Sequence, residues 1–595
     1  MTAIPRKGGT ISWACTPGFP PAAIFPLLPP GRFGARSLYE FQMLMYRPLY
    51  WYGTKGDAQV DYELSMAEAP RWSEDGRTAT LTVKPYKWSN GETVNADGVM
   101  LWMHLLEAKK EEYGGYVPGY FPDNLTGYEK VAEDQVRFTF DRAYAQNWVL
   151  MNQFSLITPL PRAWDRTAEG PADATTDKDA AYAVYDYLMA ENGDVYAEDN
   201  SARARWADSP IWSVVNGPWK LASYAMDGLV TMVPNPSYSG PNKPYADAFR
   251  LVPTETDEEQ YRALEGGPHG PDAIHLGFLP FDKITEPAAD PVTGGPNPLA
   301  EHYRIVPQIL YAIHYFPFNF ANTTVTGKIF RQLYFRQALQ TTLDQDGSFQ
   351  EIYQGYGYPT YGPVPALPAT ELLSPAQKTN PFPFDVDRAR RMLQDNGWDT
   401  SVTPAVCVAP GTGPGQAGEG IPAGTRLTIS LRYAAGHEKT LTRVMRKFRD
   451  DAARAGIELV LEEVHPSVLV GQDTTGTTNW ELSCWNGGWV YGPNFHPTGE
   501  LLYQTGAGCN FGSYSDPVAD ELIAKTVTSD DLADLYAYQD YLAEQVPVIW
   551  MPNFPLRVFE VANQLKGVEP INPLGFINPE NWYFVDEPDD SDATG

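Results

Sequence analysis

Eight histidines and four cysteines are spread over 595 residues, and none falls at a metal-ligating spacing. HExxH, CxxC and CxxH do not occur, so no His/Cys metal site is expected. A GxSxG nucleophile elbow is missing as well. GPGQAG, residues 413–418, matches the GxGxxG phosphate-binding pattern. No strand leads directly into it, however, and EGIPAG rather than a helix follows, so a surface loop is expected. Two carboxylates could act as acid and base, but among 74 acidic residues no pair stands out. Neither catalysis nor a cofactor is expected.

The stretch with a chemistry of its own is CWNGGWVYGPN, residues 484–494. A core strand would use Val, Ile and Leu; here aromatic rings stand beside glycines. Glycine lets a ligand or another strand approach the backbone closely. Trp and Tyr present rigid faces with a polar handle. On residue types alone, a ligand wall and a packed loop fit equally. Cys484, at the head of this stretch, and Cys509 are the candidate disulfide, with two reduced buried thiols as the alternative.

The elements that position this stretch can be read along the chain. At 595 residues it is too long for one core, and two or three domains are expected. The hydrophobic share of 43% and charged share of 20% are those of globular protein. A net charge of −30 repels nucleic acid and anionic lipid, so neither is an expected partner. No run of 18 apolar residues would span a membrane. MTAIPRKGGT at the N-terminus has no apolar core, so no signal sequence is read in the chain. GGTISWAC, residues 8–15, reads as a strand. APRWSEDGRTATLTV, residues 69–83, reads as a hairpin turning at Asp75-Gly76. Asn95 caps a helix with Val99, Leu101, Trp102, Leu105 and Leu106 on its apolar face. Residues 216–238 read as a second hairpin. LTISLRYAAGHEKTLTRVMRKFRDDAARAGIELVLEEV reads as strand, helix, strand, and so as a parallel α/β unit near residues 425–465.

Several motifs, in order, resemble family 5 of the extracellular solute-binding proteins of ABC importers, the group that binds oligopeptides, dipeptides and nickel. The most specific is APRWSEDGRTATLTVKPYKWSNGETVNADGV, residues 69–99. NGPWKLASY, NPSYSGPNKPYAD, FRQLYFRQAL, YQGYGYPTYGPVP, VDRARRMLQDNGW and SDPVADELIAK follow in the family's order. The resemblance covers about residues 8–584. It implies an α/β fold of the periplasmic-binding-protein type: two lobes, two crossover hinge segments and an extra domain inserted in the first lobe. The implied division is 1–56, 206–318 and 553–595 for the discontinuous first-lobe domain, 57–205 for the insertion, and 319–552 for the second lobe. The crossings would lie in YAIHYFPFNF and WMPNFPLRVF, with Tyr315, Asn319 and Pro552 at the hinge.

The same resemblance places CWNGGWVYGPN on the cleft wall of the second lobe. Trp485 and Trp489, with Asn486, Gly487 and Gly488 between them, would line it. Tyr491 and Asn494 would stand on the adjoining loop, and His437 near a strand end. In peptide binders of the family the ligand adds to this segment as an extra strand. Many carry an acid that pairs the ligand's amine at the position of Gly488, and some a basic residue at that of Leu482; both are uncharged here. A buried unpaired ammonium is costly, so an amine needs another partner, or the ligand is not a conventional peptide. The implied role is extracytoplasmic, as a cell-surface lipoprotein or in the periplasm. There the chain would act as a monomer that captures an oligopeptide or peptide-like ligand for an importer's membrane permease. An oligosaccharide ligand is the alternative, and a secreted hydrolase of such ligands is the alternative of another class. Direct nickel binding is not expected.

Overall fold

The computed structural model describes residues 5–29, 37–197, 199–434, 439–464, 469, 479–485, 488–492, 495–554 and 557–585. Three distant parts of the chain meet in one seven-stranded sheet. Its order is Tyr303–Gln308, Arg557–Ala562, Leu276–Leu279, Thr10–Ala14, Ala248–Val252, Val230–Pro234 and Trp219–Tyr224. Thr10–Ala14 runs parallel to Ala248–Val252 over its whole length, and four of its five residues are buried. Burial on both faces is what a central strand of such a sheet requires. The chain's two ends are also joined by a charge pair: Arg47 meets Glu580, both buried, and the Arg47 guanidinium lies 3.8 Å from the centre of the Trp51 ring.

The hairpin at Asp75-Gly76 forms as its sequence predicts. Arg71–Trp72 and Thr78–Thr82 pair antiparallel, and Gly76 turns at φ +66°, a conformation that favours glycine. Both strands belong to a four-stranded antiparallel sheet with Gln135–Phe140 and Leu125–Ala132. The helix Ala96–Lys109 starts where Asn95 Oδ1 accepts the Asp97 N–H at 3.1 Å. The α/β unit also forms. Thr428–Ala434 and Glu458–Val464 pair in parallel register across the helix Lys439–Ala455, whose Leu441, Val444, Met445, Phe448 and Ala452 are buried. Leu482–Cys484 pairs on the other side of Thr428–Ala434. Residues 413–418 form a loop.

The two segments expected to cross between the lobes lie side by side. Ala312–Pro317 pairs antiparallel with Val548–Met551, Tyr315 opposite Trp550 and His314 opposite Met551. Every residue of both strands is buried. Of the expected hinge residues, Tyr315 lies inside this ladder. Pro552 follows it, its carbonyl 3.3 Å from His314 Nδ1. Asn319 lies beyond it, donating from Nδ2 to the Trp480 carbonyl at 2.9 Å. A third strand, Trp489–Val490, pairs with Ala312 and Ile313 from the other edge.

Gly488 sits where that third strand begins. Its φ is +49°, and a Cβ there would lie 2.0 Å from the Ile313 carbonyl oxygen. The position that carries the acid in many peptide binders is therefore closed here to any side chain. The disulfide expectation is corrected as well. Cys484 and Cys509 are both thiols. Cys484 is buried in the cluster around Leu431 and Phe448, whereas Cys509 packs on the separate cluster that holds Tyr315 and Trp550. Facing different cores, they do not meet.

Two outcomes are expected from these placements. Gly488→Ala combines a left-handed backbone, disfavoured by roughly 1–2 kcal/mol for a residue with a Cβ, with a clash against the crossing strand. Its unfolding midpoint in denaturant should fall by more than the backbone term alone accounts for; an unchanged midpoint would show that the close approach is not real. The second concerns Glu560, fully buried within Arg557–Ala562 and contacted by Asn297 Nδ2 at 2.6 Å. Burial pushes its carboxyl up to about 8. Between the ordinary carboxyl range and about 8 the folded state holds a proton that the unfolded state has lost, so stability falls as pH rises through that window. Glu560→Gln removes this loss. Its stability advantage should grow by up to about 1.4 kcal/mol per pH unit from pH ~5 to ~8 and then level off. Unfolding curves for the two proteins that stay parallel across this range would refute it.

Candidate functional site

A cavity of about 730 Å³ opens between the segments that flank the crossings. One side is built from residues preceding the first crossing: Tyr39 and Glu40, the loop from Tyr113 to Phe121, and Trp148, Asn152 and Gln153. The other side is Trp489, Val490, Gly492, Glu500, Leu501 and Cys509. Gln308, Leu310 and Arg557 line its floor beside the crossings. Eight of the lining side chains are aromatic, so the wall is broad, rigid and apolar, with few polar groups to fix orientation.

Local sequence explains the placement of the two main aromatic walls. Trp489–Val490 pairs on one edge with Ala312–Ile313 and has no strand neighbour on the other among the described residues; both residues line the cavity. Trp148 closes a short helical stretch, Gln146–Trp148, which runs on through Val149–Gln153. Ala145 before it has no side chain able to cap. The missing acceptors come from Asp530, which takes the Gln146 N–H at 2.9 Å and the Asn147 N–H at 3.1 Å. Further along, Asn152 exchanges two hydrogen bonds with the His496 backbone, at 2.8 and 3.0 Å. Tyr120 donates to Gln504 Oε1 at 3.0 Å. The two sides of the cavity are thus in direct contact around its rim.

Charge on the wall is uneven. The charged lining residues are Glu40, Glu111, Glu500 and Arg557. Arg557 pairs with Glu40 at 3.6 Å and stacks 4.2 Å from the Phe278 ring centre. Glu500 is buried, and its Oε1 accepts the Trp148 indole N–H at 2.8 Å. Burial raises its carboxyl above the ordinary range. The neighbouring His496 is held neutral by burial, its pKa lowered to about 4. Five buried polar atoms on residues of the wall have no hydrogen-bond partner among the described residues: Tyr39 OH, Gln153 Nε2, Gln308 Oε1, Trp489 Nε1 and Glu500 Oε2. Atoms of this kind on a cavity wall are able to hydrogen-bond polar groups of a ligand.

The residues expected from the sequence part company here. Trp489 is on the cavity wall. Trp485 is not; its indole packs against Tyr315 and Phe511 at 5.7 and 5.5 Å between centroids and donates to the Gly488 carbonyl at 3.3 Å. One strand ends at Cys484 and another begins at Trp489, so the two tryptophans do not share a strand and the four-residue spacing does not keep both on one face. Tyr491 is fully buried beside Tyr311, with its hydroxyl on the Pro363 carbonyl, so it is a packing residue. Gly488 serves the backbone approach described above. Asn486, Gly487, Asn494 and His437 lie outside the described residues. Sequence reasoning missed Trp148, Tyr120, Glu500 and the Arg557–Glu40 pair. Nothing in QNWVLMNQF or PTGELLYQ marks them; burial around a shared cavity does.

Comparison with known proteins fits this geometry. The model of "Bacterial extracellular solute-binding proteins, family 5 Middle" matches residues 61–510. Protein XP55 of Streptomyces lividans is 24% identical over 500 residues, spanning 81% of this chain and 76% of its own. The oligopeptide-binding protein AppA of Bacillus subtilis is 21% identical over 550 residues, spanning 90% and 86%. The crystal structure of AppA, in complex with a nonapeptide, superimposes with a TM-score of 0.67 at 17% identity, covering 98% of this chain and all of that one. The ABC transporter substrate-binding protein CtaP of Listeria monocytogenes superimposes with a TM-score of 0.69 at 17% identity, again over 98% of this chain and all of that one. The fold is the two-lobed α/β fold of these proteins. With the family model covering most of its length, the chain belongs to the bacterial extracellular solute-binding proteins, family 5.

Proposed function

We propose that this solute-binding protein captures an oligopeptide or peptide-like ligand between its lobes, outside the cytoplasm, and hands it to the membrane permease of an ABC importer. The observation that carries the ligand class is the free edge of Trp489–Val490 on the cavity. An extended backbone can add there as a fourth strand, taking main-chain hydrogen bonds for affinity while its side chains meet aromatic walls. AppA, named as an oligopeptide-binding protein, is similar over most of its length, which supports the same reading. The protein acts as a monomeric, non-enzymatic receptor without nucleic-acid partners. Its division into 1–56, 206–318 and 553–595, with 57–205 inserted and 319–552 opposite, makes the cavity an interlobe cleft whose closure is the functional motion. Ligand favours the closed form because only there do both walls touch it.

Thermal shift against a panel of oligopeptides and oligosaccharides tests the ligand class. A true ligand at about 100-fold its Kd adds roughly 2.7 kcal/mol to native stability, so the peptide arm should raise the unfolding midpoint and the sugar arm should not. A response confined to sugars would replace the reading. Trp489→Ala should weaken peptide binding by about tenfold or more in calorimetric titration, with a modest change in the midpoint of the empty protein. Retained affinity with collapsed stability would make Trp489 a packing residue.

A further inference from the structure

Glu500 poses a problem that the fold alone does not resolve. Only 6% of it is exposed, it lines the cavity, the Thr498 and Asn152 side chains lower its pKa as hydrogen-bonding neighbours, and its Oε2 has no well-formed hydrogen bond among the described residues. Around it stand Trp148, Asn152, Thr498, Tyr120 and Tyr538, none of them basic. No ion pair to Glu500 is found among the described residues, and the imidazole of nearby His496 is neutral. A carboxyl that served packing alone would be replaced with advantage by an apolar or amide side chain, because burying it without a counter-charge is unfavourable. The wall as a whole carries three glutamates against one arginine, and that arginine is taken by Glu40.

We infer that Glu500 is the counter-charge for a ligand ammonium group, held against Glu500 Oε2 in the aromatic part of the cleft. The aromatic neighbours fit that cargo. Tyr120 and Trp148 pack edge to face, 5.5 Å between centroids, and an ammonium is attracted to such ring faces once water is excluded. The indole N–H of Trp148 holds the other carboxylate oxygen, fixing its orientation. The inference rests on the proposed ligand-binding cleft and adds the charge class of its cargo. The ammonium is either a peptide's terminal amine or the end of a lysine-like side chain; the shared chemistry is an alkylammonium on an otherwise apolar body.

Calorimetric titration of the wild-type protein and Glu500→Gln separates the possibilities. Four probes are used: a pentapeptide of alanine and phenylalanine with a free terminal amine, the same peptide N-acetylated, the acetylated peptide with one internal lysine, and hexylamine alone. The wild-type protein should bind an ammonium-bearing peptide at least about tenfold more tightly than the acetylated, uncharged one. The free-amine and lysine arms tell which source is preferred. Glu500→Gln, which keeps an acceptor for Trp148, should bring all peptides to within about twofold of one another. The empty variant should unfold at or above the wild-type midpoint, whereas a merely structural glutamate would lower it. Peptide binding without any preference for an ammonium, or a preference that survives in Glu500→Gln, overturns the role of Glu500 and leaves the peptide reading standing. Hexylamine bound through Glu500 while no peptide binds supports the role of Glu500 and refutes the peptide reading. No binding of any probe refutes both.

Discussion

The antiparallel ladder between Ala312–Pro317 and Val548–Met551 is the constraint on which the rest depends. Two segments so distant in the sequence could lie anywhere; here they share a ladder, so what flanks it on either side inherits one register. The ladder's two outer edges are treated differently. On the Val548–Met551 side, Gln340 and Gln345 carboxamides occupy the backbone groups of Trp550: Gln340 takes its N–H at 2.8 Å, and both amides donate to its carbonyl at 3.0 Å. That edge is finished with side chains, one of the ways proteins blunt an exposed strand. On the opposite side the two-residue strand Trp489–Val490 is left as the margin of the cleft. Among the described residues the sheet is closed on one edge and open on the other, and Trp489 and Val490 at the open edge line the cavity.

Aromatic residues do two jobs in this molecule, and position separates them. Trp13, Phe559 and Trp582 stack within the seven-stranded sheet's core, as Tyr491 does under the cleft. Trp148, Tyr120 and Trp489 are of the same types but line a space. Their polar handles are correspondingly different in use. The Trp148 indole meets a carboxylate and the Tyr120 hydroxyl a carboxamide, while Trp489 Nε1 has nothing to bond.

Much of the architecture was legible because it is local. The Asp75-Gly76 turn, the Asn95 cap and the 3.6-residue stripe of Lys439–Ala455 are short-range signals, and the strand–helix–strand order dictates a parallel pair. The segments expected to cross between the lobes came from the order of several weak motifs, and the structure pairs them in one ladder. The site was legible only in part. Trp489 could be named because its neighbours are glycines; Trp485 was named for the same reason, and its indole packs on Tyr315 and Phe511 away from the cavity. Glu500 was illegible because nothing short of tertiary burial distinguishes it from the other acidic residues. The candidate bridge from Cys484 to Cys509 failed for a related reason: sequence gives separation along the chain, not which of two cores a thiol faces.

The cap that Asp530 lends to Gln146 and Asn147 reaches from one wall of the cleft to the other. A helix normally carries its own first acceptor; this one begins with Ala145 and borrows it. If the lobes open and close as proposed, the borrowed acceptor leaves on opening, and with it about 0.5–2 kcal/mol of capping. The order of a surface turn then depends on the gap between two bodies that it does not otherwise measure. Such a turn works as a mechanical indicator: an outside observer that binds only the intact helix start could tell a shut protein from an open one without touching what is inside.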